Sequence, residues 1–371
     1  MQTRYPNYNN CLTNVSNSIL KYFNFNTYHE TLKELDEILN KKEYKNIVLI
    51  LYDGMGSNIL DRHLEESDFL RKHKIKDIDA VFPPTTTAST TSVLSGLNPN
   101  EHGWLGWDLY FKEEDEIVTM FLNTKKDTDD IVSSESLANK YYGYKSIITI
   151  IGEKYQTLHL KSFGEDRYID LDDMNNKIVD FCNKEGKKFV YSYYDEPDHT
   201  MHELGTDKKE ITDLFKKIND STESLCKRLD DDTLVIILAD HGHLNCEYFT
   251  LSDYPDIFSL LKRDISIESR ACNFFVKEGK KEEFEKLFSE YFGEFFELYK
   301  KEEVISKKLF GIGNNHECFY ESLGDYLAVA TSNKYIRYNE NSVDLISMHA
   351  GITLDEIIVP LIVYKGDTDE I

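Results

Sequence analysis

Four short runs constrain this chain most: NIVLILYD (46–53), KSIITIIG (145–152), KKFVYSYYD (187–195) and TLVIILAD (233–240). Each is apolar at nearly every position. A strand with one wet face alternates, whereas one covered on both faces does not, so these runs predict parallel strands between helix layers. Segments 55–72, 133–142, 171–185 and 207–229 carry helical spacing, with Ser134 and Thr206 as candidate caps. The expected class is α/β. From about 265 to 340 the texture changes. RACNFFVK reads as a strand, the stretch holding Phe284, Leu287, Phe288, Tyr291 and Phe295 as a helix, and YLAVAT and YIRY as further strands. One domain spanning 1–371 with a small inserted α/β cap at about 265–340 is expected, its aromatic stripe serving as core.

The polar residues that end these runs point to function. The first stops on Asp53, the third leads through DEP to Asp198 and His202, and the fourth stops on Asp240 and His241. In open α/β sheets, ligands bind beyond the carboxyl ends of the strands, where loops converge. Asp198 and His202 are four residues apart and share a helix face if DHTMH opens a helix. SMHAGIT adds His349 ahead of the apolar run EIIVPLIVY. Three carboxylates and three imidazoles suit zinc, or manganese where oxygen dominates, and could hold two cations with three protein ligands each. Taken singly, a strand-terminal Asp is often an N-cap and a DxxxH pair is usually solvated. Convergence on one sheet edge carries the metal reading. His199, His243 and His316 lack such placement and read as supporting or surface groups.

Charge sharpens this expectation. Lys plus Arg number 43 against 67 Asp plus Glu, a net charge of −24 that repels nucleic-acid polymers and anionic membranes. A small anionic substrate then needs a local reversal of field, which bound cations provide. With no apolar run long enough to span a bilayer and no signal-like h-region, a cytoplasmic protein without membrane contact is expected. The six cysteines are scattered without CxxC spacing and read as reduced thiols with no assigned role. The segment AVFPPTTTASTTSVLSG reads as extended chain, a proline stop and a helix start. A hydroxyl there lies by the positive end of the helix dipole, and metal coordination favours its alkoxide. Composition does not choose among Thr85, Thr86 and Thr87.

In order along the chain, YDGMG, FPPTTTASTTSVLSGLNPNEHG, EPDHTMH, ADHGH and MHAGIT with the following VP resemble the alkaline phosphatase superfamily, in its type I phosphodiesterase/nucleotide pyrophosphatase branch. The resemblance runs from residue 46 to about 365. It implies a doubly wound, mostly parallel sheet flanked by helices and two divalent ions, usually zinc. One ion is expected on Asp53, Asp240 and His241 beside the nucleophile, the other on Asp198, His202 and His349. The resemblance also places Thr86 at the nucleophile position. It departs where relatives carry a Phe after the nucleophile and an Asn beyond the HG motif: Thr87 and Trp107 stand there. Trp104, Trp107 and Tyr110 are candidates to line an organic-group pocket, with packing as the competing reading.

The expected activity is hydrolysis of a small-molecule phosphate ester, a diester or pyrophosphate rather than a monoester, through a phosphothreonine on Thr86. No Arg lies near Thr86 in sequence to clamp a doubly charged phosphoryl group. A sulfatase would need a C/S-x-P-x-R context, which TTTAST lacks. A monoesterase or phosphomutase shares the ligand set and stays as the alternative, and a catalytically silent metal-stabilised scaffold is the non-enzyme one.

Overall fold

The computed structural model describes residues 1–162, 167–342 and 344–366. Its central sheet has six strands in the order Lys74–Asp79, Ile358–Tyr364, Thr233–Leu238, Asn46–Tyr52, Lys188–Tyr194 and Gln156–Leu160. The last four are mutually parallel, whereas Ile358–Tyr364 runs antiparallel to both neighbours. Helices flank the sheet, as expected for α/β layering. Asn46–Tyr52 and Thr233–Leu238 are buried at every position, so the uninterrupted apolar runs match strands with no wet face. Register then gathers the residues expected as ligands. Tyr52 pairs with Tyr194 and Leu51 with Leu238, so the residues that follow leave the sheet at one edge.

One predicted strand is corrected. KSIITIIG forms the helix Ile147–Gly152, and the strand is Gln156–Leu160. Ser146 caps that helix by accepting from Thr149 N–H at 3.1 Å, and Ile147, Ile150 and Ile151 bury one face. A short apolar run does not distinguish a buried helical turn from a buried strand. The cap assignments also shift. Ser136 caps Leu137–Tyr142 instead of Ser134, and Lys208 precedes Lys209–Lys227. Thr206 is turned to other partners: its N–H donates to Asn245 and its hydroxyl accepts from Arg62. The 55–72 stretch divides into Ser57–His63 and Phe69–Lys72.

A second sheet, antiparallel throughout, has seven strands in the order Phe296–Lys300, Tyr326–Ala330, Ala271–Phe274, Ser266–Ile267, Asp108–Phe111, Glu116–Thr119 and Thr124–Lys125. Four strands from 265–340 thus continue into the 108–125 hairpin, joined where Ile267 pairs with Asp108, whereas Lys334–Arg337 pairs in parallel with Glu247–Thr250. The aromatic stripe lies on helix Lys281–Phe292, whose Phe284, Phe288 and Phe292 pack with Phe274 and Tyr326. After Gly293 the chain turns into the strand Phe296–Lys300, so the helix ends earlier than its spacing predicts. Among the described residues no helix is long and apolar enough to cross a membrane. None of the six cysteines is in a disulfide.

Candidate metal centre

Two glycine turns bring the strand ends together. Gly54 has φ +73°, and a Cβ there would stand 2.9 Å from the Asp198 Cβ. At Gly242 a Cβ would lie 1.8 Å from the Asp355 carbonyl oxygen, so only glycine lets these backbones touch. Asp53 N–H donates to Tyr194 O at 2.9 Å, and Asp198 N–H donates to Asp53 O at 3.0 Å. Asp198 opens the helix Asp198–Leu204, which carries His202 one turn on. Thr86 is the first residue of Thr86–Ser95, with Thr85 at the N-cap.

These elements bring together the seven residues expected at the centre. Thr86 Oγ1 lies 3.2 Å from both Asp53 Oδ2 and His241 Nε2. His241 Nε2 is 3.2 Å from Asp53 Oδ1 and 3.5 Å from Asp240 Oδ2. Across the cluster, Asp198 Oδ2 is 3.3 Å from His202 Nε2, and Asp198 Oδ1 is 3.7 Å from His349 Nε2. Donor atoms gather into two groups able to hold a metal ion: Asp53, Asp240 and His241 in one, and Asp198, His241, His243 and His349 in the other. His243, expected only as a supporting or surface group, is buried here with Nε2 against Asp198 Oδ1.

The hydrogen bonds behind these side chains aim them. His241 Nδ1 lies 3.0 Å from Gly242 O, His202 Nδ1 2.7 Å from Ser347 O, and His349 Nδ1 3.1 Å from Pro84 O. A ring nitrogen facing a carbonyl donates, which leaves each Nε2 turned toward the carboxylates, the orientation of metal-ligating histidines. Asp240 Oδ1 accepts from the N–H groups of Gly54 and His241, both at 3.0 Å. Its Oδ2 is buried with no hydrogen-bond partner. Ring nitrogens turned toward carboxylates, together with an orphaned buried oxygen, form a donor set that could hold cations.

Electrostatics agree. Burial, then the charge of Asp198, pushes the Asp53 carboxyl well above its ordinary range. Burial and the nearby Asp53 do the same to Asp240. Burial also raises Asp198, but His202 and His243 outweigh it and hold that carboxyl well below the usual range. Burial and the neighbouring His241 press His349 well down. A cation would reverse the penalty on Asp53 and Asp240 by giving both carboxylates a counter-charge.

A cavity of about 370 Å³ opens beside Thr86, lined also by Trp107, Lys126, Glu268, Arg337 and Tyr338. Trp107 reaches it, but Trp104 does not. Trp104 is buried, donates Nε1–H to Tyr142 O at 2.9 Å and packs against Phe121 and Tyr144. Tyr110 is turned away against Phe275 and Arg263. His199 lies on the cavity wall, and His316 packs against Tyr142 away from it. Sequence reasoning missed Glu268, which accepts from Thr85 Oγ1 at 2.5 Å and from Trp107 N–H at 2.8 Å. Burial pushes its carboxyl up to about 7. Nothing in the stretch ISIESR marks it.

A profile of the type I phosphodiesterase/nucleotide pyrophosphatase family matches residues 47–351. The chain belongs to this family. The span takes in Asp53, Thr86, Asp198, His202, Asp240, His241 and His349, and membership makes the protein a phosphoric ester hydrolase. Comparison with curated protein sequences finds no significant match. Among solved structures, human ectonucleotide pyrophosphatase/phosphodiesterase 5 aligns with TM-score 0.67 at 19% identity over 85% of this chain and 87% of its own. The murine protein, solved as an inactive Thr-to-Ala variant in complex with AMP, aligns with TM-score 0.66 at 18% identity, covering 86% and 87%. Phosphonoacetate hydrolase from Sinorhizobium meliloti 1021, in complex with phosphonoformate, gives 0.65 at 13%, covering 87% and 92%. At these identities the likeness establishes the fold: helices around a mostly parallel sheet.

Proposed function

We propose that this protein is a metal-dependent phosphodiesterase or pyrophosphatase acting on a small-molecule phosphate ester through a covalent Thr86 intermediate. The observation that carries the reading is Thr86 Oγ1, 3.2 Å from both Asp53 and His241 at the mouth of the cavity. Asp53, Asp240, His241 and the Thr86 oxygen would hold one divalent cation, and Asp198, His202 and His349 the other. Zinc suits this mixed set, and manganese is the alternative. When bound, such ions favour the Thr86 alkoxide and neutralise phosphoryl oxygens.

Thr86 Oγ then forms a bond to phosphorus while the bond to the leaving alcohol breaks, and that alcohol departs with the threonine proton. The remaining ester stays on Thr86 as a phosphodiester. Water adds to the same phosphorus, the bond to Thr86 Oγ breaks, and the hydroxyl regains a proton. The start of Thr86–Ser95 turns backbone N–H groups and the positive dipole end toward the developing charge.

A diester is favoured over a monoester by the wall beside Thr86. Glu268 sits against Thr85 and brings negative charge as pH rises through about 7, and Arg337 Nε–H donates to Thr250 Oγ1 at 2.8 Å with its guanidinium over the Tyr248 ring. A singly charged phosphoryl group meets less repulsion there than a dianion. The murine neighbour, inactive with its Thr-to-Ala change and holding AMP, supports a threonine nucleophile here. The test uses bis-p-nitrophenyl phosphate with zinc-loaded protein. Wild type should turn over, while Thr86→Ala keeps its metal and loses activity; equal rates would refute the nucleophile assignment.

A further inference from the structure

We propose that Arg337 selects substrates carrying a second anionic group, a carboxylate or phosphate on the organic part of the ester, and receives that group in the cavity. The inference deepens the phosphate-ester reading above and rests on it. Arg337 ends the strand Lys334–Arg337, and Ile336 N–H donates to Ser269 O at 2.9 Å, which ties this strand to the second sheet next to Glu268. Arg337 and Thr86 line the same cavity. The guanidinium is held from two sides. Its Nε–H donates to Thr250 Oγ1 at 2.8 Å, and its carbon lies 3.9 Å from the centre of the Tyr248 ring. Among the described residues no protein acceptor takes up either Nη group, so the rest of a fork that matches carboxylate and phosphate oxygens stays open.

Two roles are open to such an arginine: a tether between strands, or a receptor. The other arginines favour the second. Arg4, Arg62, Arg71, Arg263 and Arg270 each pair with a carboxylate. With 67 acidic residues against 43 basic ones, a carboxylate partner is easily found, yet among the described residues none reaches Arg337. The other cation of the wall is already engaged, because Lys126 Nζ donates to Asp264 Oδ1 and to Ile265 O, both at 2.8 Å. Arg337 is also fixed before any ligand arrives, so little side-chain freedom is lost on binding.

Arg337 makes no hydrogen bond or ion pair with the seven residues of the metal centre, which assigns it a group other than the phosphoryl under attack. Asp108, Asp127 and Glu268 line the same cavity and disfavour an anion near them. A second anionic group therefore has one favourable place on this wall, at the open side of the Arg337 guanidinium.

The test compares zinc-loaded protein on bis-p-nitrophenyl phosphate and on derivatives bearing a carboxamide, a carboxylate or a phosphonate ortho to each nitro group. Both rings carry the group, so the direction in which the ester binds does not matter. The readout is the ratio of kcat/KM for each anionic ester to that for the neutral carboxamide. In wild type this ratio should be about tenfold or more for at least one of the two, and the larger ratio tells carboxylate from phosphate recognition. Arg337→Gln should bring it near one through KM, and Arg337→Lys, which keeps the charge and loses the fork, should fall between. A ratio near one for both anionic esters in wild type, or the wild-type ratio persisting in Arg337→Gln, overturns the inference while the hydrolase reading stands. If wild type turns over none of these esters, the hydrolase reading itself falls, and this inference with it.

Discussion

The central and the second sheet meet at one cavity and give it different things. Parallel strands leave the central sheet at a common edge, so Asp53 and Asp240, with Asp198 just beyond Tyr194, arrive together as candidate ligands. Strands of the antiparallel sheet end alternately at opposite edges. From it the cavity takes Trp107 before Asp108–Phe111, Lys126 after Thr124–Lys125 and Glu268 after Ser266–Ile267, residues that wall the site without joining the ligand clusters. On this account chemistry belongs to one sheet and substrate preference to the other.

The strongest way to break that division is Asp240→Ala, which removes the orphaned Oδ2. One of two metal equivalents should be lost by elemental analysis, and kcat should fall on the order of 10³-fold, because a bound ion supplies several kcal/mol of transition-state stabilisation. A rate within tenfold of wild type would mean that the central sheet does not own the chemistry.

Next in size is the joint between the sheets. Arg270, fully buried before Ala271–Phe274, pairs with Glu356 at 2.7 and 2.8 Å, and Glu356 also accepts from Gly351 N–H close to His349. Arg270→Met strands a buried carboxylate and should cost about 3–5 kcal/mol in urea unfolding, with Arg270→Met/Glu356→Leu recovering most of it. An unchanged midpoint for the single variant would show that this pair does not couple the two halves.

Glu268→Gln sharpens the comparison by probing the wall alone. Burial raises this carboxyl from 4.5 to about 7, so wild type gains a negative charge in the cavity as pH rises through neutrality. KM for an anionic diester should climb across that window in wild type, by about tenfold if the charge contributes about 1.4 kcal/mol, and stay flat in the variant with metal content unchanged. Stability follows the same sign. The folded protein prefers the protonated acid, so the contribution is full below 4.5 and lost as pH rises through about 7, a loss the variant should not show in melts. Smallest of all, Trp107→Ala should raise KM two- to threefold, about 0.5 kcal/mol, with kcat intact, since this side chain is 40% exposed.

The same contrast explains what could be read before folding. Asp53 and Asp240 were legible because a fully buried strand writes an unbroken apolar run and the residue that ends it stands out. Ile147–Gly152 reads as a strand in the sequence because a buried helical turn writes the same run. Pairing of Ile267 with Asp108 leaves no local trace, since register between distant antiparallel strands is set by tertiary packing. Glu268 was invisible for the same reason. His243 stood in plain sight after Asp240, yet its direction depends on the Gly242 turn and on Ser347 behind it.

Anomalous diffraction at the zinc edge, from crystals grown with zinc, tests the central claim most directly. The account predicts two peaks about 4 Å apart, one among Asp53, Asp240, His241 and Thr86 Oγ1, the other against Asp198, His202 and His349. A single peak, or peaks away from these side chains, would contradict it.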